Sequence, residues 1–312
     1  LDARLHGATV LTYHEVTRLI INNGRVKGVV MRDNITGEMR EAHAQLTINA
    51  AGIWGHLIAE MADVPLNMFP AKGSLLIFGH RVNQMVINRC RKPANADILV
   101  PDDAVCVIGT TSDRVSYDVI DHLKVTPEEV DILISEGEKL APALATTRIL
   151  RAYAGVRPLV AADDPSGRNI SRGIVLLDHE KRDGLGGFIT ITGGKMMTYR
   201  LMAELATDLA CKKLGVNKAC ETAEKPLPGS EEECSKKGLS TERLAEEGRH
   251  GTLTSLIPAD TIMDKALVCE CEEVSVGEMK YAVDKLHVKN LINMRRRTRV
   301  SMGTCQGTLC AC

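Results

Sequence analysis

The sequence predicts an α/β protein in two parts, a larger part of strands and helices followed by a small helical, cysteine-rich domain. Three observations predict it. Strands and tight turns alternate through the first half, a buried strand runs into a glycine turn and a helix, and five of the ten cysteines lie between Cys269 and Cys312. At 312 residues the chain is long enough for two compact domains.

Charge and hydropathy exclude two classes of protein. The chain has 39 Lys and Arg against 40 Asp and Glu, so no net field favours nucleic acid as a partner. Its apolar runs are far shorter than the roughly 20 residues that a membrane-spanning helix needs. The chain begins at Leu1 rather than at methionine, and we take it to be a fragment of a longer protein.

The first 60 or so residues predict a meander of short strands, with turns at 22–24 and 34–37. The meander leads to a buried strand at 46–52 and a helix from Trp54 to Met61. A strand that runs into a glycine turn and a helix is typical of the edge of a nucleotide-binding sheet.

The second half continues with strands and capped helices. Thr126-Pro127-Glu128-Glu129 is a capping box, which predicts a helix to about Leu140, and Gly215 predicts the end of a helix that begins at Lys195. Further strands are predicted between 72 and 111 and at 149–158, 173–179 and 187–192. We therefore predict a first domain at 1–215, a polar linker at 216–265 and a cysteine domain at 266–312.

Two cysteine motifs indicate a metal centre. Cys269-x-Cys271 is followed after 33 residues by Cys305 and Cys310, and four thiolates can hold two irons with each motif supplying one pair of ligands. Gly303 and Gly307 would let backbone N–H groups approach the sulfurs. Structural zinc also accepts four cysteines and stays an alternative, and the nearby Cys312 complicates the assignment.

The second motif is Gly193-Gly194-Lys195-Met196, at a predicted strand-to-helix junction. Backbone N–H groups at a helix start, with the charge of Lys195, would bind the electron-rich edge of a flavin and stabilise the anion formed on reduction. An ordinary glycine turn before a capped helix is the alternative.

Two arginines, Arg157 and Arg172, are candidates for binding a phosphorylated substrate. A guanidinium group binds phosphate through two parallel hydrogen bonds, which lysine does not match. Surface ion pairs are the alternative for both residues, and the commoner one for arginine.

Together these stretches resemble the flavin-dependent glycerol-3-phosphate dehydrogenases over nearly the whole chain, and the cysteine domain narrows the resemblance to the anaerobic, multisubunit branch. The resemblance implies a FAD-dependent oxidoreductase fold of the D-amino-acid-oxidase/glutathione-reductase type. It comprises an incomplete Rossmann part, an antiparallel substrate-domain sheet and a small helical iron–sulfur domain. The blocks that carry the resemblance are Ile48–Trp54, Ile108–Thr111, Gly155–Leu159 and Gly193–Lys195.

The resemblance also implies roles for individual residues. Arg157 and Arg172 would hold the substrate phosphate, and Lys195 would act catalytically beside the flavin. Cys269, Cys271, Cys305 and Cys310 would bind a 2Fe-2S cluster, as in bacterioferritin-associated-ferredoxin-like domains. The residues implied in FAD binding are Val16, Ala51, Gly52, Gly193, Gly194, Lys195 and Met196.

The implied reaction is oxidation of sn-glycerol 3-phosphate to dihydroxyacetone phosphate by hydride transfer to FAD, in anaerobic glycerol metabolism. Electrons would pass through the 2Fe-2S centre and partner subunits B and C to a membrane quinone. The protein would be cytoplasmic or peripheral on the cytoplasmic face of the inner membrane.

Two alternatives stay open: a related FAD-dependent amine or amino-acid oxidase subunit, and an inactive fragment that acts as an iron–sulfur or docking module. The sequence lacks the strand, G-x-G-x-x-G turn and helix with which this family clamps the FAD pyrophosphate. We therefore expect this chain alone not to hold FAD tightly.

Overall fold

The computed structural model describes residues 2–102, 104–160, 173–230 and 239–310. The chain divides into two compact units. The larger comprises Leu11–Asp102 and Cys106–Ala223, and the smaller comprises Leu1–Val10, Asp103–Val105 and Glu224–Cys312.

The described residues form strands and helices in both units, which confirms the predicted α/β class. The strands are β1 (His14–Asn22), β2 (Arg25–Asp33), β3 (Met39–His43), β4 (Thr47–Asn49), β5 (Met68–Phe78), β6 (Ile87–Asn88), β7 (Ile98–Pro101), β8 (Cys106–Gly109), β9 (Asp113–Arg114), β10 (Ile149–Val160), β11 (Ile174–Asp178), β12 (Phe188–Gly193), β13 (Leu267–Cys269) and β14 (Val274–Ser275). The helices are α1 (Asp2–Leu5), α2 (Gly55–Glu60), α3 (Pro127–Glu138), α4 (His179–Asp183), α5 (Tyr199–Leu214), α6 (Thr241–His250), α7 (Ile262–Lys265), α8 (Val276–Asp284) and α9 (Leu291–Thr298).

The predicted meander is confirmed as an antiparallel sheet of β1, β2 and β3. Asn22 pairs with Arg25, so the turn between the first two strands contains only Asn23 and Gly24. Both turn residues have positive φ, 50° and 67°. Asn-Gly favours this tight hairpin because neither residue is strongly penalised in the left-handed region.

A second sheet has the order β11-β12-β4, with β12 antiparallel to β11 and parallel to β4. The side chain of Asn49 fixes the end of β4, because its Nδ2 donates to the carbonyl of Gly55 (2.8 Å) and to Thr190 Oγ1 (3.3 Å). Phe188 of β12 lies in a buried cluster with Ala59 of the helix that follows β4. The predicted strand, glycine turn and helix are therefore present.

The largest sheet has the order β10-β5-β8-β7-β6, and β9 pairs with β5. Helix α3 covers it, with Leu133 packed in a buried cluster that includes Leu76, Leu99 and Ile108. The predicted capping box begins this helix: Thr126 Oγ1 accepts from the N–H of Glu129, and Glu129 accepts from the N–H of Thr126. Proline at the first helical position lacks the N–H that would otherwise be unpaired there.

Helix α5 begins later than predicted, at Tyr199 rather than Lys195, because Met196–Thr198 forms a separate 3-10 turn. It ends as predicted at Gly215, whose φ of 72° is the left-handed conformation of a glycine cap.

The smaller unit contains the cysteine region and part of the segment predicted to be a linker. Within 216–265 the structure places α6 and α7, together with a 3-10 helix at Gly251–Leu256. Ser275 caps α8 as predicted, with its hydroxyl accepting from the N–H of Glu278 at 3.0 Å. Cys269, Val274, Ala282 and Met294 lie in one buried cluster.

Over the described ranges, none of the helices combines the length and apolar character needed to cross a membrane.

Candidate active site and cysteine centre

A cavity of about 510 Å³ opens in the larger unit beside the sheet of β5 and β8. Two residues predicted from the sequence, Arg157 and Lys195, both line it. Two further cations in its wall, Arg89 and Arg91, were not predicted. Arg172, the second predicted phosphate ligand, lies outside the described residues.

Arg157 is held in the cavity wall by the backbone of two neighbouring segments. Its Nη1 donates to the carbonyl of Lys72 (3.3 Å), and its Nη2 donates to the carbonyl of Thr111 (3.1 Å) and to Thr110 Oγ1. The guanidinium lies against Gly73, where an added Cβ would come within 2.4 Å of Nη2. Glycine at this position therefore leaves the space that the guanidinium occupies.

A buried carboxylate, Glu129 at the start of α3, ties the same two segments together. Lys72 Nζ donates to Glu129 Oε2 (2.7 Å), while Ser74 Oγ (2.7 Å) and Thr111 Oγ1 (3.2 Å) donate to Oε1. Burial opposes ionisation of Glu129, but the hydrogen bonds from Lys72, the Thr126 N–H and Ser74 outweigh it, so the pKa lies below its usual value. Glu129 thus braces the wall that carries Arg157.

Glu136, two turns further along α3, holds two other arginines of the cavity wall. Its carboxylate lies 2.5 Å from Arg89 Nη1, 3.0 Å from Arg91 Nη2 and 2.5 Å from Lys139 Nζ. Hydrogen bonds from Lys139 and then Arg89 lower the pKa of Glu136 to about 2. Arg91 also pairs with Asp97 at 2.8 Å.

The predicted glycine turn lies at the end of β12. Gly193 and Gly194 have φ values of 74° and 67°, and a Cβ on Gly193 would lie 2.5 Å from the carbonyl of Gly173. The N–H of Gly194 donates to that carbonyl (3.1 Å), and the N–H of Lys195 donates to Thr198 Oγ1 (2.9 Å). Two of the N–H groups expected to face a flavin are therefore used within the chain. At this turn the side chains of Lys195 and Met196 are exposed.

The structure places Gly52 and Gly193 at one edge of their sheet. Asn49 pairs with Thr190 in the parallel strands β4 and β12, so each glycine lies three residues beyond the paired position. Gly52 has a φ of 58°, with open space where a Cβ would lie, and Ala51 precedes it. The carboxyl ends of parallel strands are where such sheets bind ligands.

Val16, the remaining residue implied in FAD binding, lies in β1 of the meander. It is half-buried and pairs with Met31 beside a register shift in the strand. Among the described contacts of Val16, none distinguishes it from any other strand residue.

The four predicted cysteine ligands lie in the smaller unit as two neighbouring pairs. Cys271 lies beside Cys305, and Cys269 lies beside Cys310. Each pair thus combines one cysteine from each motif, whereas the sequence analysis expected each motif to supply a pair. Among the described residues, no group of three or more His, Cys, Asp or Glu side chains could hold a single metal ion. Cys312 lies outside the described residues.

Backbone groups surround the sulfur of Cys305. The backbone N–H of Leu309, followed by the side chain of Cys271, lowers the pKa of the Cys305 thiol, and the N–H groups of Gly307 and Thr308 lower it further. Burial, and then the neighbouring Cys269, raise the pKa of Cys310, to which the charge of Cys305 also contributes. The two pairs therefore adjoin each other.

Arg249 of α6 holds the loop after Cys271, a contact that the sequence analysis missed. Its guanidinium makes two hydrogen bonds to the fully buried Glu278 (2.8 and 2.5 Å) and donates to the carbonyls of Glu272 (3.0 Å) and Glu273 (3.2 Å). Helix α6 belongs to the segment predicted to be a linker, so its polar composition concealed this role.

Residues 1–200 match the family of FAD dependent oxidoreductases, and the chain belongs to that family. Within it, the chain is 61% identical to the A subunit of the anaerobic glycerol-3-phosphate dehydrogenase of Haemophilus influenzae, over 100% of this chain and 57% of that protein. It is 60% identical to the corresponding A subunit of Escherichia coli K12, over 100% of this chain and 59% of that protein. The chain thus spans somewhat under three fifths of the length of these relatives.

Among solved structures, the glycerol-3-phosphate dehydrogenase of Bacillus halodurans complexed with FAD has the same fold. The two superpose with a TM-score of 0.76 over 97% of this chain and 62% of that chain, at 23% sequence identity. The predicted FAD-dependent oxidoreductase fold and the family resemblance are therefore confirmed.

Proposed function

We propose that this chain carries the substrate-binding wall and part of the flavin-binding edge of a glycerol-3-phosphate dehydrogenase. The reaction is oxidation of sn-glycerol 3-phosphate to dihydroxyacetone phosphate. The observation that carries the proposal is that Arg157, fixed by two backbone carbonyls, lines the same cavity as Lys195. The 61% identity to the Haemophilus influenzae relative supports it.

Arg157 binds the substrate phosphate in this proposal, assisted by Arg172. A guanidinium fixed in advance loses little freedom when it binds an anion, so binding is stronger than with a mobile side chain. The phosphate then anchors the substrate with its C2 hydroxyl directed towards Lys195.

The edge formed by Gly52, Gly193 and Gly194 fits a flat cofactor. All three glycines have positive φ, and open space lies where a side chain of Gly52 would be, so a ring system can approach the backbone closely there. FAD, when bound, supplies the acceptor for the hydride that leaves C2 of the substrate. Lys195 places a positive charge beside this edge, where it stabilises negative charge that develops during the reaction. The other residues proposed to hold the cofactor are Val16, Ala51 and Met196.

The four cysteines are proposed to bind a 2Fe-2S cluster. Each iron of such a cluster takes two cysteine ligands, so two adjoining pairs of cysteines fit it. This fit does not need three His, Cys, Asp or Glu side chains around a single metal ion, an arrangement that the described residues do not form. N–H groups directed at a sulfur, as around Cys305, stabilise its negative charge. Structural zinc is the alternative.

The cluster supplies one-electron chemistry, and the proposed recipients of the electrons are partner subunits B and C and a membrane quinone, in anaerobic respiration on glycerol. The proposed location is the cytoplasm or the cytoplasmic face of the inner membrane.

Activity is tested in the full-length protein by steady-state kinetics on glycerol 3-phosphate. Arg157→Ala is expected to raise KM by at least about tenfold, the effect of losing a charge-assisted hydrogen bond. Arg151→Ala, on the same strand, is the matched control. An unchanged KM in Arg157→Ala would remove the basis of the proposal, and turnover of an amine or amino acid in place of glycerol 3-phosphate would favour an amino-acid oxidase.

The cysteine centre is tested by the absorbance spectrum and metal content of the purified chain. A reddish-brown protein with about two irons per chain is expected for a 2Fe-2S cluster. A colourless protein that contains zinc would overturn the cluster assignment.

A further inference from the structure

Besides Arg157, the cavity wall contains two arginines, Arg89 and Arg91, whose charges are already matched by carboxylates. Arg89 makes hydrogen bonds to the carboxylate (2.5 Å) and to the backbone carbonyl of Glu136, and only 13% of its side chain is exposed. Arg91 lies 3.0 Å from the same carboxylate and donates through Nε to Asp97 (2.8 Å) and through Nη2 to the carbonyl of Asn95 (3.2 Å).

One carboxylate is central to this arrangement. Glu136 pairs with Arg89, Arg91 and Lys139, and Asp97 pairs only with Arg91 among the described ion pairs. Three positive and two negative side chains leave a net charge of one positive in the group. Replacing Glu136 by a neutral residue would raise the net charge of the group to two positive.

The positions of the Glu136 and Asp97 carboxylates affect which anionic groups can bind at this wall. Asp97 itself lines the cavity, and Glu136 accepts hydrogen bonds from both amino groups of Arg89 and from Nη2 of Arg91, which a ligand anion would otherwise be able to use. A second anionic group at this wall would compete with Glu136 for these donors and would lie close to the negative charge of Asp97. A neutral hydroxyl group meets neither obstacle.

We propose that Glu136 is a specificity-determining residue of this cavity, which it makes selective for ligands with a single anionic group. The inference rests on the proposed function, since glycerol 3-phosphate carries one phosphate and two neutral hydroxyl groups. Glu136 acts through Arg89 and Arg91, which line the cavity wall in its place.

The test uses two ligands that differ at one carbon. Glycerate 3-phosphate has a carboxylate where glycerol 3-phosphate has a hydroxymethyl group, so it adds one anionic group at nearly constant size. The measurement is the inhibition constant of glycerate 3-phosphate divided by KM for glycerol 3-phosphate, in the full-length protein. In Glu136→Gln this ratio is expected to fall about tenfold, the effect of one new hydrogen bond between charged groups.

Three variants separate a charge effect from a structural one. Glu138→Gln removes the same charge from an exposed position two residues along α3 and should leave the ratio at its wild-type value. Adding Arg89→Gln and Arg91→Gln to Glu136→Gln should return the ratio to its wild-type value. If Glu136→Gln does not fold, Asp97→Asn is tested instead, because it removes one carboxylate partner from Arg91 alone. It should lower the ratio about threefold, as expected for a partly exposed ion pair.

The outcomes distinguish this inference from the proposed function. A wild-type protein that neither binds nor oxidises glycerol 3-phosphate would overturn both. A wild type that oxidises it, with a ratio unchanged in Glu136→Gln and Asp97→Asn, would overturn the role of Glu136 alone. A ratio that stays low in the triple variant, which lacks Glu136 and both arginines, would also overturn the role of Glu136.

Discussion

Glu129 and Lys72 form an ion pair across the boundary between α3 and β5, with 2.7 Å between Oε2 and Nζ and about a tenth of each side chain exposed. The pair is close to the cavity but does not line it. Lys72 also supplies a backbone carbonyl that accepts from Arg157. Glu129 accepts from the hydroxyl of Thr111, whose carbonyl is the other backbone acceptor of Arg157. The geometry of the wall that carries Arg157 therefore depends on a carboxylate that does not itself line the cavity.

Glu129→Gln should weaken both the fold and the binding of phosphate. Removing one partner of a buried ion pair costs roughly 3–5 kcal/mol when the other charge is left unpaired, and loss of the brace lets Arg157 move. We expect a lower free energy of unfolding in urea and a KM for glycerol 3-phosphate raised more than kcat is lowered. Glu128→Gln, at an exposed position in the same first turn, should change neither, and an unchanged KM in Glu129→Gln would contradict the bracing role.

Gly73→Ala should disturb Arg157 without disturbing the sheet. The new Cβ would lie 2.4 Å from Arg157 Nη2, so the guanidinium must leave its three hydrogen-bond partners. We expect the affinity for glycerol 3-phosphate to fall about tenfold or more. Gly155 pairs with Gly73 on β10 and has open space around the same point, so Gly155→Ala is the matched control. Equal affinities in the two variants would show that Arg157 has room to adjust.

Arg249→Gln should loosen the loop after Cys271. The variant loses two hydrogen bonds to loop carbonyls and leaves the buried Glu278 without its arginine. Amide hydrogen exchange of residues 271–274 should become faster by at least about tenfold, because local opening becomes easier. Arg243→Gln is matched, since Arg243 also pairs with a buried carboxylate, Glu246, but donates to the carbonyl of Thr254 instead of the cysteine loop. Equal exchange rates in both variants would argue against a specific effect on the loop.

Asp264→Asn should destabilise the smaller unit at neutral pH and have no effect in strong acid. The hydrogen bond from Lys280, followed by that from Thr261, lowers the pKa of Asp264 to about 2. Because the folded-state pKa is depressed, the stabilisation is fully present above the ordinary value of 3.8 and disappears as the pH falls towards 2. Urea denaturation followed by circular dichroism should show wild type and variant converging in this range. A difference independent of pH would exclude the ion pair as its cause, and Asp260→Asn is the exposed control.

Local signals in the sequence predicted those elements that depend on neighbouring residues. The hairpin at Asn23-Gly24, the capping box at Thr126 and the C-cap at Gly215 each need only a few consecutive residues to specify their geometry. Arg157 and Lys195 were candidates from the chemistry of their side chains and motifs, the family resemblance implied roles for both, and both line the cavity.

Longer-range polar contacts were not predictable in this way. Arg89 and Arg91 reach Glu136, 47 and 45 residues along the chain, and no periodic pattern records such a pairing. Helix α6 was missed because its buried face is polar: Glu246 is almost fully buried against Ser275, so the usual apolar stripe of a packed helix is absent. The position of α5 was predicted four residues early because a 3-10 turn and an α-helical turn have similar sequences.

Helix α3 also acts as a spacer. Glu129 and Glu136 are seven residues apart, which places them on one face of the helix and about 10.5 Å apart along its axis. The separation of the two braced walls is therefore set by two helical turns. Inserting or deleting one residue between them would rotate one carboxylate by about 100° relative to the other, so that only one wall could keep its brace. Substitutions on the outer face of this helix leave the spacing of the two carboxylates unchanged, whereas a change in length between them does not.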